Sequence, residues 1–590
     1  MLLLILTLIS ILSLPNVYSS TSRRSVFYDL KSDHDESICF TADCVQTASR
    51  IRSWMNFSEN PCNNFYEYAC GGFMSNIEPS IKKKITPFTT LNTDILKQIS
   101  KILQEDKKYN EIYPFQIAKQ IYKKCIKEGN EFNEELNFED ILIQSSYNLV
   151  SSIAKWPLFN GTQWDKESWS WIDVIQTLRN MELQYDGLLF DLTLVRDQRN
   201  TSKLLLKKDV EVYMINIPYF TELRKILKRT PKKMIANYFF IKTLIVITDH
   251  YTFNNTDDQC VSLTKRLLPV SVNAMYIRAS FPEIPKDAIR ITVNMKKQLQ
   301  RMIKRSDWID AGTKIKALEK LEYMTIQLGY SDVFLNDSKI ENYYNGLELK
   351  ENSTLIEDVM AINLFKTNKK FRQYRRILKN PPKYSEVTSV NSFYDVDRNA
   401  VSIPVSLLQS SFFGVKRLNY LNYASFGSIV AYAISNSFSL LGHLRDQHGN
   451  LVTWWEDDTY EHYINKTKCL KTQYDNYHEN NKTITITDRI ISSLFSDTFS
   501  SKASYLAYKD WSKRHSDELG LPFIKLTPIQ LFWISLGQMH CSNSKDLVSK
   551  HSVETQYRVN GVFRHLSEFS EDFHCPTESF MNPSKKCELF

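Results

Sequence analysis

The sequence has 590 residues, of which 43% are hydrophobic and 13% aromatic, which is enough apolar material for a large buried core and two or more domains. The formal net charge is +8, and the lysines and arginines occur in short clusters among apolar and acidic residues, as at 82–84, 224–233 and 369–376. We interpret these clusters as solvated helix faces, because no nucleic-acid-binding motif accompanies them. Nucleic acid is therefore excluded as an expected partner.

The chain begins with an apolar run, Met1 to Leu14, that is too short to span a bilayer as a helix. It has the length of a signal-peptide core, and small polar residues follow it, so we predict a signal peptide over 1–19. Residues 20–38 are polar and charged and are predicted to form a flexible leader. No later segment is long and apolar enough to span a membrane, so we expect a secreted, extracellular protein without a transmembrane segment.

Cysteines and glycosylation motifs agree with export. Ten cysteines, an even number, are typical of a disulfide framework formed in an oxidising compartment. Eight of them cluster at 39–70 and at 469–587, with only Cys125 and Cys260 between, so we expect the two ends of the chain to be joined around a central section. The N-x-Ser/Thr sequons predict a glycosylated surface, with acceptors at Asn56, Asn160, Asn200, Asn254, Asn336, Asn352, Asn465 and Asn481.

Helical periodicity dominates the middle and the end of the chain, so we predict a mainly α fold with small β elements. One helix is predicted from Asp310, as its N-cap, to Gly329, with apolar residues at every third position from Ile315. Another is predicted to begin with Thr527 as cap and Pro528 at its first position.

The main strand signal is the pair 387–394 and 400–403, separated by a polar turn at 395–399. Pro404 cannot donate a hydrogen bond to a neighbouring strand. The second strand is therefore expected either to end there or to lie at a sheet edge.

Two segments carry a specific order of Cys, aromatic and Gly residues. Near the start, a Cys-x4-Cys pair at 39–44 precedes an aromatic- and Gly-rich run with two more cysteines at 61–73. Near the end, an acidic and aromatic run at 569–575 precedes Met-Asn-Pro at 581–583. This order resembles the neprilysin and endothelin-converting enzyme family, the M13 zinc metallopeptidases, over essentially the whole chain after the signal.

The resemblance implies a two-lobed fold with a zincin-like C-terminal catalytic lobe. Residues 39–130 and 381–590 would form the first lobe, and 131–380 a second, covering lobe, which is shorter than usual between Cys125 and Cys260. It also implies five disulfides, Cys39–Cys44, Cys62–Cys575, Cys70–Cys541, Cys125–Cys260 and Cys469–Cys587, which use all ten cysteines.

A zinc peptidase of this class needs two imidazoles from an H-E-x-x-H helix, whose Glu is the general base, and a third ligand from a second helix. None of the 11 histidines begins such a motif. Counted from the flanking Phe426, the ligand positions are expected at Ser435 and Ser439 and the base at Asn436. On the second helix, the third ligand position is expected to hold Ser493.

Neutral hydroxyls are poor zinc ligands, and asparagine cannot accept a proton from water. We therefore predict that zinc, the cofactor expected for the family, has been lost and that no catalytic residue remains. Asp497 is retained at the position where the family orients a ligand imidazole. A rebuilt metal site at His443 and His448 is a weaker alternative, because their spacing of five does not place them on one helical face. Serine hydrolysis is weaker still, since no paired base is indicated.

Parts of the binding apparatus are predicted to survive. Asn391 and Ser392 resemble the edge-strand motif that holds a peptide backbone by strand addition, with Ser392 in place of the usual Ala. His551 matches a histidine that stabilises the oxyanion, and a buried structural histidine is the rival interpretation. Arg558 matches an arginine that grips the substrate carbonyl, although a structural salt bridge is favoured slightly.

Three functions follow. The first is a catalytically inactive, secreted pseudo-peptidase that binds peptides or extracellular protein partners. The second is an active metalloendopeptidase with unconventional metal ligands. The third is a structural or interaction glycoprotein that does not use the cleft. Metal content separates the second from the others, and peptide binding separates the first from the third.

Overall fold

The structure is a computed structural model that describes residues 37–76, 84–106, 110–131, 151, 156–157, 164, 169–180, 217–248, 256–350, 352–375, 387–409, 411–439, 442–476, 487–543 and 555–589. The predicted signal peptide and most of the predicted leader lie outside these residues. So do the candidate site residue His551 and four of the sequon asparagines, Asn160, Asn200, Asn254 and Asn481.

Helices account for most of the described chain, as predicted. The first half contains α1 (Ala42–Trp54), α2 (Phe65–Ser75), α3 (Pro87–Gln104), α4 (Tyr113–Glu131), α5 (Trp171–Asn180), α6 (Ile217–Arg229), α7 (Lys232–Thr248), α8 (Asp257–Leu267), α9 (Pro269–Ser280) and α10 (Lys286–Arg305). The second half contains α11 (Ala311–Tyr323), α12 (Asp337–Tyr343), α13 (Leu355–Arg375), α14 (Asn419–Asn422), α15 (Ser428–Ser435), α16 (Asp457–Asn476), α17 (Asp488–Ser512), α18 (Pro528–Gln538) and α19 (Ser567–Asp572).

Strands β1 (Thr325–Leu328), β2 (Phe393–Asp395) and β3 (Ala400–Ile403) form one small sheet in the order β1-β3-β2. β1 is parallel to β3, with Thr325 opposite Ala400, and β2 is antiparallel to β3, with Phe393 opposite Ser402. β3 is the central strand, so Pro404 marks its end and not a sheet edge. β2 is an edge strand of this sheet.

Two predicted elements are longer than those observed. The helix that Asp310 caps, by accepting a hydrogen bond from the Thr313 amide at 2.7 Å, ends at Tyr323 and not at Gly329. The chain then extends because β3 offers residues 325–328 a strand partner, which overrides the local helical pattern. Likewise, only residues 393 and 394 of the predicted strand 387–394 lie in the sheet, where β2 extends to Asp395 of the predicted turn and pairs with the four-residue β3. By contrast, α18 begins as predicted, with a capping box between Thr527 and Gln530.

The structure contains the same five disulfides that the resemblance implies. Cys62–Cys575 and Cys70–Cys541 join the region of α2 to the end of the chain, across sequence separations of 513 and 471 residues. Beside them, the Phe65 ring packs edge-on against Phe569 at 4.8 Å between ring centroids. The two ends of the chain therefore share one buried core.

Buried apolar side chains form two clusters within the described residues. The smaller one contains Trp156 and Phe239, from the predicted second lobe. The larger one draws on both ends of the chain and also on α10, α11 and β1, which lie inside the predicted second-lobe range of 131–380. Residue 380 is therefore not a packing boundary, because α10 packs on α17 and β1 pairs with β3.

The start of the described chain also differs from the prediction. Ser37 and Ile38, the last residues of the predicted flexible leader, are held by Gly520, whose amide donates to the Ser37 carbonyl at 2.7 Å. Across the residues that the structure covers, none of the helices combines the length and apolarity required to cross a bilayer.

Candidate functional site

The site lies where α15 packs against α17. α15 is an apolar helix, with Ile429, Val430 and Ile434 buried, and it ends at Ser435. Residues 436–438 form a tighter, 3₁₀ turn, and Ser439 has extended backbone with a ψ of 177°. A helix that ends here can present residues up to 435 or 436 to α17, but nothing beyond.

This boundary corrects the predicted ligand positions. Ser435 and Ser439 cannot share one helical face, because Ser439 lies beyond the helix in extended backbone. Ser435 is fully buried and donates to the Tyr432 carbonyl at 2.9 Å, while Ser439 donates to the Asn436 carbonyl at 2.8 Å. The Ser435 hydroxyl also lies 3.5 Å from the Ser496 carbonyl on α17, whereas Ser439 serves a local turn. The two serines therefore do not form the predicted pair at i and i+4 on one helical face.

The residues that face α17 at a spacing of four are Tyr432 in the last turn of α15 and Asn436, which directly follows the helix with helical backbone angles. The Ser493 side chain lies within hydrogen-bonding reach of the Tyr432 hydroxyl. The Asn436 side-chain oxygen accepts a hydrogen bond from the Ser496 hydroxyl at 3.0 Å. Tyr432 and Asn436 thus meet α17 at the i and i+4 spacing with which a zinc peptidase presents two of its ligands. Each lies three residues before the position predicted from the sequence, Ser435 or Ser439.

Asp497 and Arg558 form a bidentate ion pair, with distances of 2.8 Å from Nε to Oδ2 and 2.6 Å from Nη2 to Oδ1. The Asp497 side chain is 7% exposed and that of Arg558 is 29% exposed. Arg558 thus makes the salt bridge that was its favoured interpretation, and Asp497 binds a guanidinium where the family would orient an imidazole. The guanidinium carbon also lies 5.7 Å from the centroid of the Tyr432 ring.

These contacts set the charges at the site. Burial raises the pKa of Tyr432, and Asp497 adds to that shift, so the hydroxyl is protonated at neutral pH. Burial also raises the pKa of Asp497, but Arg558 opposes this, and we assign the bidentate pair as ionised. Although desolvation acts to lower the pKa of Arg558, the Asp497 carboxylate raises it overall.

The residues at this face do not fit a zinc ion. Tyr432, Asn436 and Ser493 present a protonated phenol, an amide and an alcohol, none of which is an anionic or imidazole ligand. The nearby charges are the paired Asp497 and Arg558 and the cation of Arg489, and a guanidinium is no zinc ligand. In the described part of the chain, no group of three or more His, Cys, Asp or Glu side chains could hold a metal.

His443 and His448, the alternative metal pair, have different surroundings. His443 is buried beside the Trp455 ring, at 4.8 Å between centroids, and its Nδ1 lies 3.1 Å from the Ser439 carbonyl. His448 is exposed and packs edge-on against Tyr323 at 5.2 Å.

The predicted peptide-binding strand lies beside α15. The Ser392 hydroxyl is 3.5 Å from the Ile429 carbonyl, which ties the start of β2 to the site helix. Asn391 is exposed, and its amide donates to the Ser389 hydroxyl at 3.1 Å. Both residues precede the paired part of β2, so they flank the edge strand and do not lie within its ladder.

Lys320 organises the loop that follows the site helix. It is 1% exposed, and its ammonium donates to three backbone carbonyls, Ser437 at 2.9 Å, Gly442 at 2.6 Å and Arg445 at 2.7 Å. Gly442 must be glycine, because a Cβ there would lie 2.1 Å from the Asn436 carbonyl. The lysine therefore fixes the turn that ends α15 directly after Ser435.

Sequence reasoning missed Tyr432, Ser496 and Lys320. The Tyr432–Asn436 spacing of four was available as a signal. However, no residue between Gly427 and Gly442 is a metal ligand that could anchor the register. The helix end, which Lys320 and Gly442 determine through tertiary contacts, is what identifies the facing residues.

Known proteins are similar to this chain over nearly its whole length. Neprilysin-2 of Drosophila melanogaster is 24% identical over 709 aligned positions, which cover 95% of this chain and 90% of the relative. An endothelin-converting enzyme homolog of Locusta migratoria is also 24% identical, with 94% of each chain covered.

Solved structures share the fold. A chain of the Haemonchus galactose containing glycoprotein complex superposes with a TM-score of 0.69 at 17% identity, covering 94% of this chain and all of that one. The Mycobacterium tuberculosis zinc metalloprotease Zmp1 superposes with a TM-score of 0.61 at 15% identity, covering 91% of this chain and 98% of that one. The expected mainly helical, neprilysin-like fold is confirmed.

Two family models, both described as peptidase family M13, match this sequence. One matches residues 391–589, which include α15, α17 and Arg558. The other matches residues 61–210 and 203–331. Because the matched residues make up well over half of the chain, the protein belongs to peptidase family M13.

Proposed function

We propose that the protein is a catalytically inactive, secreted member of the family that binds peptides or extracellular protein partners in the old cleft. The observation that carries this proposal is the face between α15 and α17. There Tyr432, Asn436 and Ser493 carry a protonated phenol, an amide and a hydroxyl in place of the two imidazoles and the carboxylate that we expect a zinc peptidase to present. Ala433, at the position of the general base in this register, has no proton-accepting group.

Secretion and glycosylation are part of the proposal. Five disulfides suit an oxidising compartment. Of the sequons in described residues, Asn336, Asn352 and Asn465 are exposed, so they are accessible acceptors. Asn56 is partly buried, and its side-chain oxygen accepts from Ser58 at 2.6 Å, which makes it the least accessible of the four.

The purified glycoprotein is expected to retain no stoichiometric zinc after dialysis and to cleave no peptide in a chelator-sensitive manner. Elemental analysis by mass spectrometry and a mixed peptide panel would measure both, with a known zinc peptidase dialysed in parallel as control. Zinc that survives dialysis together with chelator-sensitive cleavage would support the alternative function, an active metalloendopeptidase with unconventional ligands.

Peptide binding is expected to be weak, since backbone hydrogen bonds to the β2 edge contribute only about 0.5–1.5 kcal/mol each. We expect dissociation constants on the order of micromolar or weaker. Asn391→Ala should weaken binding, because the residue flanks the edge strand, whereas Asn345→Ala, an exposed asparagine in a remote turn, should not. Calorimetry with an extended-peptide library measures the difference.

A structural or interaction glycoprotein is the second candidate. One observation favours it: a solved chain with a similar fold belongs to a galactose containing glycoprotein complex. Absence of peptide binding by the parent protein, or identical binding after Asn391→Ala, would favour this candidate over the peptide-binding one.

A further inference from the structure

We propose that the cleft binds acidic peptides, with Arg489, Ser493 and Arg558 receiving a ligand carboxylate beside Tyr432. This inference rests on the proposed function, because it names the chemical class of the ligand for the same cleft. The source of the carboxylate is either an Asp or Glu side chain or the C-terminus of the peptide.

Arg489, Ser493 and Asp497 form a stripe along α17, since they are spaced four apart on one helix. The Ser493 hydroxyl donates to the Arg489 carbonyl at 3.1 Å, and Asp497 holds Arg558 at the other end of the stripe. Tyr432 lies over this stripe, within reach of Ser493 and close to Arg558. The stripe therefore runs along the side of α17 that faces α15.

Two of these groups have donor capacity left for a ligand. The Arg558 side chain is 29% exposed, and its ion pair with Asp497 uses Nε and Nη2. Within the described residues Nη1 makes no hydrogen bond, which leaves donors directed away from Asp497. Arg489 is exposed and forms no ion pair with any described acidic residue. Arg489 lies one turn before Ser493 on α17, so it is on the same helical face as the residue that reaches the Tyr432 hydroxyl.

The net charge of this face favours a negatively charged ligand. Asp497 and Arg558 neutralise each other, and Tyr432, Asn436 and Ser493 are neutral. Arg489 leaves one positive charge that no described residue of the face compensates. A carboxylate that binds between Arg489 and Arg558 would satisfy this charge and accept from both guanidinium groups, which are well suited to carboxylates. A neutral peptide would satisfy only the hydrogen bonds.

The test uses the full-length glycoprotein and four versions of one extended peptide. One version has a central Glu and an amidated C-terminus, and its control replaces Glu by Gln. The third has the central Gln with a free C-terminus, and the fourth has both carboxylates. Calorimetry at low and at raised salt gives the dissociation constants. Arg489→Gln is compared with Arg224→Gln, which removes an exposed arginine from the remote helix α6.

We expect a carboxylate-bearing peptide to bind about tenfold more tightly than the neutral control, with the difference reduced by salt and lost in Arg489→Gln. Whether the Glu or the free C-terminus produces the gain identifies the source of the carboxylate. Equal binding of all four versions, unchanged by Arg489→Gln, overturns this inference while leaving peptide binding intact. No binding of any version overturns the proposed function as well.

Discussion

Replacing Tyr432 by His, Asn436 by His and Ser493 by Glu together is expected to give a protein that retains about one zinc ion per chain after dialysis. The two imidazoles would stand at i and i+4 on α15, facing a carboxylate from α17, and this is the ligand set that zinc requires. Asp497 would then be available to accept a hydrogen bond from the first imidazole. Adding Ala433→Glu supplies a general base, and only this fourfold variant is expected to cleave peptides.

The matched control is the later register, Ser435→His, Ser439→His and Ser493→Glu. It carries the same ligand types, but Ser439 lies beyond the helix end, so no zinc should be retained. A second control adds Asp497→Asn to the first triple variant, which should weaken zinc binding by roughly 10–100-fold. If the later register binds zinc and the earlier one does not, the assignment of the facing residues is wrong.

Lys320→Met is expected to destabilise the turns at 437–439 and 442–445 by about 3–5 kcal/mol, because three buried carbonyls lose their donor at once. At about 1.4 kcal/mol per factor of ten, hydrogen exchange read by mass spectrometry should show amides of these turns losing about two to four orders of magnitude of protection. Lys316→Met is the control. Lys316 lies one turn earlier on α11 and is exposed, and it makes a single 3.3 Å hydrogen bond to the Trp454 carbonyl. Equal effects of the two substitutions would contradict the role given to Lys320.

The effect of Lys320→Met should depend on pH. Burial lowers the pKa of Lys320 from its ordinary value of 10.5 to about 7. Between these pH values the unfolded chain binds more protons than the folded one, so this lysine's contribution to stability rises with pH across the window and is lost as pH falls through about 7. The stability difference between the parent and Lys320→Met should therefore widen from about pH 7 to about pH 9.

Local signals allowed parts of the fold to be predicted. Thr527, Pro528 and Gln530 specify a helix start by contacts within one turn, and the structure follows them. The pairing of β1 with β3 joins residues 325 and 400, and nothing within either segment indicates the partner. Propensity therefore assigned residues 325–328 to a helix, whereas the tertiary contact makes them a strand.

In the candidate site, too, local signals were predictable from the sequence and tertiary contacts were not. Ser493 and Asp497 were predicted to lie four residues apart on the second helix, and the structure brings both to the face opposite α15. The ligand positions predicted on α15 differ from the facing residues because the end of this helix is determined by Lys320, which lies more than a hundred residues earlier in the chain. Likewise, the sequence offers a structural salt bridge as one of two interpretations of Arg558 without naming its partner, and only the geometry identifies that partner as Asp497.

The cross-links between α2 and the end of the chain have a consequence for synthesis. Cys62 and Cys70 leave the ribosome long before their partners, and 513 residues separate Cys62 from Cys575. At roughly 5–20 residues per second, the early thiols wait about half a minute to two minutes for their partners. During that time the apolar face of α2 has no core to join and its cysteines are open to wrong pairing. Correct maturation should therefore depend on chaperones and disulfide isomerases, and a chain that stops before Cys541 should be retained and degraded.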